Sequence, residues 1–240
     1  MAKHIITDGD GTLFQAPNPY LVIAETLGCT TEIQAMIDSY LQNRSEQSYE
    51  QLCRDEIQLF VKQMRQHNLP ISVAEFNKLI PTPKLIEGSD EFIQKLVAHN
   101  SNVHVLSSGF LQMMSELKTL GIAAENIHAN EVYSENATLE IKINVSGQKI
   151  QAVLDILNRD AAIKPQDVAY FGDNQWDLTV MRELLKLDAT VYLVEHPVNY
   201  DDPKKISAED IAELSTAENF KIIRGFANPG LDELWAKLLD

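Results

Sequence analysis

The sequence predicts an α/β protein: a doubly wound parallel sheet with a small helical domain inserted after the first strand. Short apolar runs, each long enough for a buried strand, alternate with segments of helical period along most of the chain. One long stretch near the N-terminus shows helical period alone. Strands that alternate with helices favour a parallel sheet with helices on both faces. Ligands of such sheets bind beyond the carboxyl ends of the strands, so functional residues are expected there.

The predicted strands are residues 4–7, 103–107, 167–171, 189–194 and 221–223. The helices predicted between them are 90–99, 110–120, 149–157 and 178–187. Three amphipathic helices, 20–27, 31–41 and 49–67, fill the early stretch, which has no convincing strand. The predicted division is therefore an α/β core of residues 1–14 and 88–240 and a helical insertion of residues 15–87.

Charge and cysteine content limit the possible partners. The 240-residue chain has 20 Lys and Arg against 35 Asp and Glu, a formal net charge of −15. The negative electrostatic field of such a protein repels nucleic acid and anionic lipid, so neither is expected as a partner. It also repels a phosphorylated substrate, which would need a local cation. Two cysteines without metal-like spacing, and no signal peptide or membrane span in the sequence, favour a cytoplasmic protein.

Two carboxylates, Asp8 and Asp10, follow the first predicted strand in the segment Asp8-Gly9-Asp10-Gly11-Thr12. Burying both without a partner costs several kcal/mol per charge, so a cation or strong donors are expected between them. A surface turn is the alternative, since Asp and Gly are common in turns. A calcium loop is not indicated, because its Asp-x-Asp-x-Asp-Gly pattern and final Glu are missing.

Three further segments lie at strand ends or helix starts. Ser107 and Ser108 end the second strand just before a predicted helix, where an anion site or an ordinary N-cap would both fit. Asp173 and Asp177 follow the third strand and could be metal ligands or a cap. Lys149 opens a predicted helix and would be an ordinary surface residue in any other context. Together the segments suit phosphoryl transfer, which needs charge neutralisation, a nucleophile and an acid.

The order of these segments resembles one family. Asp8-x-Asp10-x-Thr12, Ser107, Lys149 and Gly172-Asp173-x-x-x-Asp177 are similar to the four ordered motifs of the haloacid dehalogenase-like hydrolase superfamily. The resemblance implies a Rossmann-like hydrolase core in which the helical insertion is a mobile cap. It also implies a phosphatase that hydrolyses a small phosphorylated metabolite through an aspartyl-phosphate. A phosphomutase of the same superfamily and a catalytically inactive binding domain stay open as alternatives.

The resemblance also implies a role for each matching residue. Asp8 would be the nucleophile and Asp10 the general acid/base. Magnesium would be held by the Asp8 side chain, the Asp10 backbone carbonyl and Asp173. The transferring phosphoryl group would be bound by Ser107, Ser108 and Lys149, with Thr12 supporting the first loop. Asp177 would order metal-bound water or Lys149.

Within the superfamily the phosphoserine phosphatase-like branch is the most similar, through residues 107–110 and 80–88. That branch carries a Glu shortly after the first motif and an Arg in the cap, and each binds one charge of the substrate. Here the first stretch is Gln15-Ala16-Pro17-Asn18-Pro19, and the Arg position aligns with Glu56. Arg54 lies close by and is the predicted cap contact with substrate.

Overall fold

The computed structural model describes residues 4–15, 18–42, 46–99, 101–145, 149–159, 163–196 and 205–227, with Trp235 and Leu238; for residues 46–48 only the backbone is described. The strands are β1 (His4–Asp8), β2 (Phe14–Gln15), β3 (Lys84–Leu85), β4 (Asn102–Phe110), β5 (Ile127–Glu135), β6 (Thr138–Lys142), β7 (Val168–Gly172), β8 (Thr190–Val194) and β9 (Phe220–Ile223). The helices are α1 (Pro19–Leu27), α2 (Thr30–Gln42), α3 (Glu46–Gln66), α4 (Val73–Asn77), α5 (Ser89–Ala98), α6 (Ser115–Thr119), α7 (Ile150–Arg159), α8 (Leu178–Lys186) and α9 (Ala208–Leu214).

The main sheet has seven strands in the order β6-β5-β4-β1-β7-β8-β9. All neighbours pair in parallel except β5 and β6, which form an antiparallel hairpin at one edge. The first strand lies in the middle, and the chain winds outward from it in both directions. The predicted doubly wound α/β fold is confirmed.

The two faces of the sheet are covered by separate hydrophobic cores. Successive side chains of a strand point to opposite faces, and Ile5 belongs to one core whereas Ile6 belongs to the other. The second core includes Val153 of α7 and Val180 of α8. Because both faces are covered, β7 is buried along its whole length and its side chains show no polar alternation.

All five predicted strands are present, but β5 and β6 were not predicted. Their sequences, IHANEVYSE and TLEIK, mix polar and apolar residues, and both strands are partly exposed in the hairpin that closes one edge of the sheet. The helix predicted for residues 110–120 is wrong in its first half. There β4 continues to Phe110, a 3-10 turn spans Leu111–Met114, and only Ser115–Thr119 is α-helical.

Helices α1 to α4 form the insertion between β2 and β3. The α1 helix begins after Asn18, whose side chain accepts a hydrogen bond from the Tyr20 N–H, and ends at Gly28 with φ +72°. The expectation that residues 15–87 contain no strand is wrong, because β2 and β3 pair antiparallel where the insertion leaves and rejoins the core. A strand of two residues is too short to show a period, and its partner residues are distant in the sequence, as Phe14 pairs with Leu85 and Gln15 with Lys84. Among the described residues, no helix combines the length and apolarity that crossing a membrane requires.

Candidate active site

The loop after β1 is built around Asp8 at the centre of the sheet. Asp8 is the last residue of the strand, and its Oδ1 accepts a hydrogen bond of 2.7 Å from the Gly9 N–H. Gly11 has φ +89°, and a Cβ there would lie 2.3 Å from Oδ2 of Asp173. The loop can therefore approach the end of β7 only because residue 11 has no side chain.

A buried lysine joins two of the carboxylates. Lys149 Nζ lies 2.7 Å from Oδ2 of Asp8 and 2.8 Å from Oδ1 of Asp177, and all three side chains are at most 4% exposed. Lys149 directly precedes α7 and has φ +53°, a left-handed conformation that is unusual for a non-glycine residue. This backbone geometry, with the lysine at the helix start, is what brings the ammonium group to the end of β1.

Asp177 fixes the loop after β7. Its Oδ1 accepts a hydrogen bond from the Tyr170 hydroxyl at 2.7 Å, in addition to its ion pair with Lys149. Its Oδ2 accepts from the backbone N–H groups of Asp173 and Asn174 at 3.1 and 3.3 Å. With four donors, the Asp177 carboxylate is fully satisfied, so it positions Lys149 and the Asp173 backbone.

Asp10 lies against the carboxyl end of β4. The Ser107 hydroxyl donates to Oδ2 of Asp10 at 2.7 Å and accepts from the Gly109 N–H at 2.9 Å. The regular pairing of β4 with β5 is interrupted between Leu106 and Phe110, so these groups turn out of the ladder. The predicted helix N-terminus at Ser107 is therefore absent, and the available N–H groups belong to an irregular strand end.

Thr12 connects the first loop to Asp173. Its hydroxyl donates to Oδ1 of Asp173 at 3.0 Å, and the Asn174 side-chain amide donates to the same oxygen at 3.1 Å. The Thr12 carbonyl accepts a hydrogen bond of 2.9 Å from Nε2 of His196, a buried residue just after β8. Three strand ends are thus tied together by side chains at one edge of the sheet.

The cluster has more negative charge than it can neutralise by itself. Burial, and next the Asp177 carboxylate, raise the pKa of Asp8 well above its usual value. The same two causes raise the pKa of Asp173 to about 7. Burial alone would lower the pKa of Lys149, but Asp177 and Asp8 raise it well above its usual range, so this residue stays charged. One ammonium group faces three carboxylates.

An oxygen-ligated divalent cation fits this donor set. Carboxylate oxygens of Asp8, Asp173 and Asp177 all lie within 4.8 Å of one another, and the three residues are buried. Hard cations such as Mg²⁺ prefer such oxygen ligands. Since Asp177 already accepts from Lys149, Tyr170 and two N–H groups, Asp8 and Asp173 are the better ligands in this cluster.

The insertion contacts the site through α3. The Tyr49 hydroxyl donates to the Ser108 carbonyl at 3.0 Å, and the Asn130 amide donates to the same carbonyl at 2.9 Å. The Tyr40 ring stacks on Trp176, three residues after Asp173, with centroids 6.1 Å apart. The described contacts of Ser108 thus involve its backbone, whereas its phosphate-binding role stays a prediction.

The predicted substrate contact of Arg54 finds no support in the described contacts. Arg54 is 53% exposed and pairs with Glu50 at 3.5 Å, one turn earlier on α3. It lines a groove of about 450 Å³ beside the β5–β6 hairpin, with Tyr133 and Lys142. At 100° per residue, Arg54 is rotated about 140° from Tyr49 and so lies on another face of α3.

Several residues of the site were not predicted from the sequence. Tyr170 sits inside a fully buried strand, where no alternation marks a functional hydroxyl. His196 and Asn130 become neighbours of the motifs only through the sheet order. Tyr49 lies at the start of a predicted amphipathic helix, where nothing distinguishes it from a residue that packs in the core. A polar residue within an otherwise apolar strand, as at Tyr170, is the one signal that could have found any of them.

Comparison with known proteins decides the family. The model of the haloacid dehalogenase-like hydrolase family matches residues 5–182, which include every motif described above. The chain belongs to the haloacid dehalogenase-like hydrolase family. The prediction of the superfamily is therefore confirmed.

Relatives of this haloacid dehalogenase-like hydrolase include phosphoserine phosphatases. The chloroplastic phosphoserine phosphatase of Arabidopsis thaliana is 41% identical over 56 residues, which cover 23% of this chain and only 19% of the plant protein. A substrate-bound phosphoserine phosphatase complex has a TM-score of 0.63 at 17% identity, with 99% of each chain covered. A phosphoserine phosphohydrolase-like protein from Francisella tularensis has a TM-score of 0.57 at 18% identity, covering 97% of this chain and 99% of that chain. At these identities the two structures show a shared fold.

Proposed function

We propose that this protein is a magnesium-dependent phosphatase that hydrolyses a small phosphorylated metabolite through an aspartyl-phosphate on Asp8. The observation that carries the proposal is the buried ion pair of Asp8 with Lys149, at 2.7 Å, beside two further carboxylates. A lysine held there stays charged and can bind the phosphoryl oxygens. Its charge also lowers the pKa of Asp8, against the larger effect of burial.

In the first half-reaction, an Asp8 oxygen attacks phosphorus and the bond from phosphorus to the leaving oxygen breaks. Asp10 donates its proton to that oxygen, so the alcohol leaves neutral. In the second half-reaction, Asp10 takes a proton from water, whose oxygen attacks phosphorus and releases Asp8. The net reaction consumes one water and yields the alcohol and phosphate. Before substrate binds, the 2.7 Å hydrogen bond from Ser107 orients Asp10.

Magnesium would be held by Asp8, Asp173 and the Asp10 carbonyl. When bound, Mg²⁺ neutralises the repulsion between the Asp8 carboxylate and the phosphoryl oxygens. Lys149, Ser107 and Ser108 would bind those oxygens, and Thr12 would keep Asp173 in place through its 3.0 Å hydrogen bond. Asp177, with four donors, would position Lys149.

We further propose that residues 15–87 are a cap over a core of residues 1–14 and 88–240. The paired strands β2 and β3 give the insertion one two-stranded attachment to the core. The contact from Tyr49 to Ser108 covers the phosphate end of the site from the insertion side. A cap that closes over substrate excludes water while the chemistry occurs. The cytoplasmic location stays a prediction.

The test is phosphate release from 4-nitrophenyl phosphate by the purified chain, with and without Mg²⁺. We expect turnover that needs the metal and that falls at least about 10³-fold in Asp8→Asn, because the nucleophile is lost. The variant should unfold near the wild-type temperature, because Lys149 keeps its second carboxylate partner, Asp177. Metal-dependent turnover retained in Asp8→Asn would contradict the covalent mechanism. No turnover on this compound or on a panel of phosphorylated metabolites would favour a binding role.

A further inference from the structure

A second buried acidic group, Glu56, lies in the insertion beside the site described above. Its side chain is 2% exposed, in the middle of α3. No other described residue forms a hydrogen bond or an ion pair with its carboxyl group. Burial, and next the neighbouring Asp55, raise the pKa of Glu56 well above its usual value. A carboxyl group buried without a partner is costly to a folded protein, so its presence requires an explanation.

Glu56 lies two turns after Tyr49 on the same face of α3, and Tyr49 contacts the phosphate end of the site. Glu56 is seven residues from Tyr49, which places the two within about 20° of each other on the helix. The Tyr49 hydroxyl reaches the carbonyl of Ser108, next to the serine that orients Asp10. Electrostatic interaction with Glu56 also raises the pKa of Tyr20, Tyr49 and Cys53, which is consistent with a carboxyl group near these side chains.

Aromatic rings surround this face of α3. The Tyr20 hydroxyl donates to Sγ of Cys53 at 3.6 Å, and its ring packs against Phe110 with centroids 4.8 Å apart. On the other side, the Tyr40 ring contacts Tyr49 edge-on at 5.7 Å and stacks on Trp176 in the Asp173 loop. Aromatic faces attract cations and offer nothing comparable to a carboxylate. The surroundings of Glu56 therefore suit a positively charged group.

We propose that Glu56 determines specificity by binding a positively charged group, such as an ammonium, on the leaving alcohol of the phosphomonoester. This inference rests on the phosphatase function proposed above. The substrate would carry its phosphate to Lys149 and its cation to the α3 face, with aromatic rings between them. An anionic leaving group would be repelled by Glu56, and the nearby Arg54 lies on another face of α3.

The test uses three phosphate esters of equal length that differ only in the terminal group. They are 2-aminoethyl phosphate, 2-hydroxyethyl phosphate and phosphoglycolate, which end in an ammonium, a hydroxyl and a carboxylate. With Mg²⁺, we expect kcat/KM to be at least tenfold higher for the ammonium compound than for the hydroxyl compound, and lowest for the carboxylate. In Glu56→Gln, kcat/KM for the ammonium compound should fall at least tenfold, and that for the hydroxyl compound should change less than threefold.

Asp55→Asn is the matched control, since it removes an equal charge from an exposed neighbour on the same helix. Asp55→Asn should leave kcat/KM for each of the three esters, and their order, unchanged. Thermal unfolding provides a second measurement. Glu56→Gln should unfold at or above the wild-type temperature, because a binding carboxyl group costs stability in the empty protein. A structural carboxyl group would give the opposite shift.

Equal kcat/KM for the three esters in the wild-type protein would overturn the inference, as would an equal loss on all of them in Glu56→Gln. If Glu56→Gln does not fold, the wild-type order alone decides. Hydrolysis of 4-nitrophenyl phosphate separates the two proposals. If that compound is hydrolysed but kcat/KM is the same for the three esters, only the proposed role of Glu56 is contradicted. Where it is not hydrolysed with Mg²⁺, the phosphatase function itself fails.

Discussion

The chain buries acidic side chains in two neighbouring regions, which differ in the hydrogen bonds and ion pairs that those side chains form. At the carboxyl ends of β1 and β7, Asp8 and Asp177 share the ammonium group of Lys149, and Asp177 accepts three further hydrogen bonds. On α3, Glu56 is equally buried but has no hydrogen bond or ion pair with any described residue. The carboxylates of the first region outnumber its one ammonium group, but hydrogen bonds and an ion pair hold them in place, whereas the carboxyl group of Glu56 has neither with a described residue.

This difference separates the chemistry from the choice of substrate. Electrostatic catalysis depends on donors and charges fixed in advance, because moving them during the reaction costs free energy. Selectivity can instead come from a buried polar group that only the right ligand satisfies, since other ligands leave it unpaired. Substitutions in the two regions should therefore have different signatures. Substitutions at the strand ends should lower the turnover of every substrate or the free energy of unfolding.

The largest effect is expected for Asp10→Asn. Asparagine can still accept the hydrogen bond from Ser107 but cannot exchange a proton with the leaving group or water. Loss of a general acid/base costs roughly 10²–10⁴-fold in rate, so kcat should fall by that factor on every ester. Steady-state and rapid-quench assays would measure this fall and any accumulated phosphoenzyme. Asp38→Asn, on an exposed side of α2, is the control, and an unchanged kcat in Asp10→Asn would exclude its acid/base role.

A second prediction concerns Lys149→Met in the absence of metal. The substitution leaves Asp8 and Asp177 without their shared cation in a fully buried setting. Removing one partner of a buried ion pair typically costs about 3–5 kcal/mol, and we expect a loss of that size in the free energy of unfolding. Urea denaturation at pH 7 is the measurement.

Lys186→Met provides the matched control for this loss. Its ammonium group also lies 2.7 Å from a carboxylate, that of Glu183, but the lysine side chain is 68% exposed. Exposed pairs are worth about 0–1 kcal/mol, so the control should lose no more than that. Equal losses in the two variants would mean that Lys149 does not stabilise the buried carboxylates, and the contrast between the two acidic regions would disappear.

How far the sequence predicts the site depends on how local each feature is. Asp8, Asp10, Asp173 and Asp177 follow apolar runs that end abruptly, and the parallel sheet brings such ends to one edge. Tyr170 could not be found in this way, because β7 is buried on both faces and lacks alternation. Contacts that depend on the order of the strands or on the position of the insertion join distant parts of the chain, so local sequence spacing does not show them.

The errors in the predicted fold have similar physical causes. The strands β5 and β6 lie at the sheet edge, where partial exposure weakens the apolar signal, and β2 and β3 are too short to have a period. Helical period correctly indicates α3, but it does not show which face of the helix meets the core. Arg54 was predicted because it lies close to the aligned cap position and is positively charged, and its contact with substrate stays a prediction, whereas Tyr49, on another face of α3, contacts the Ser108 carbonyl.

The smallest predicted effect comes from a third buried titratable group, at the opposite end of β4 from Ser107. His104 is 5% exposed and lies beside His128, with Nδ1 of His104 3.4 Å from Nε2 of His128. Burial, followed by His128, His4 and Arg159, lowers the pKa of His104 to about 4. This group has neither a counter-charge like Asp8 nor a proposed ligand like Glu56, so it stays neutral.

Stability should therefore fall as the pH is lowered from about 7 to about 4. In that window the unfolded chain protonates His104 near its ordinary pKa of about 6.5, whereas the folded chain does not, so protons favour unfolding. We expect His104→Gln to remove roughly 1–3 kcal/mol of this loss, as measured by urea denaturation at several pH values. His99→Gln, at an exposed histidine, should keep the wild-type slope. An identical slope in His104→Gln would mean that this imidazole is charged when buried, and that burial without a partner does not suppress charge in this protein.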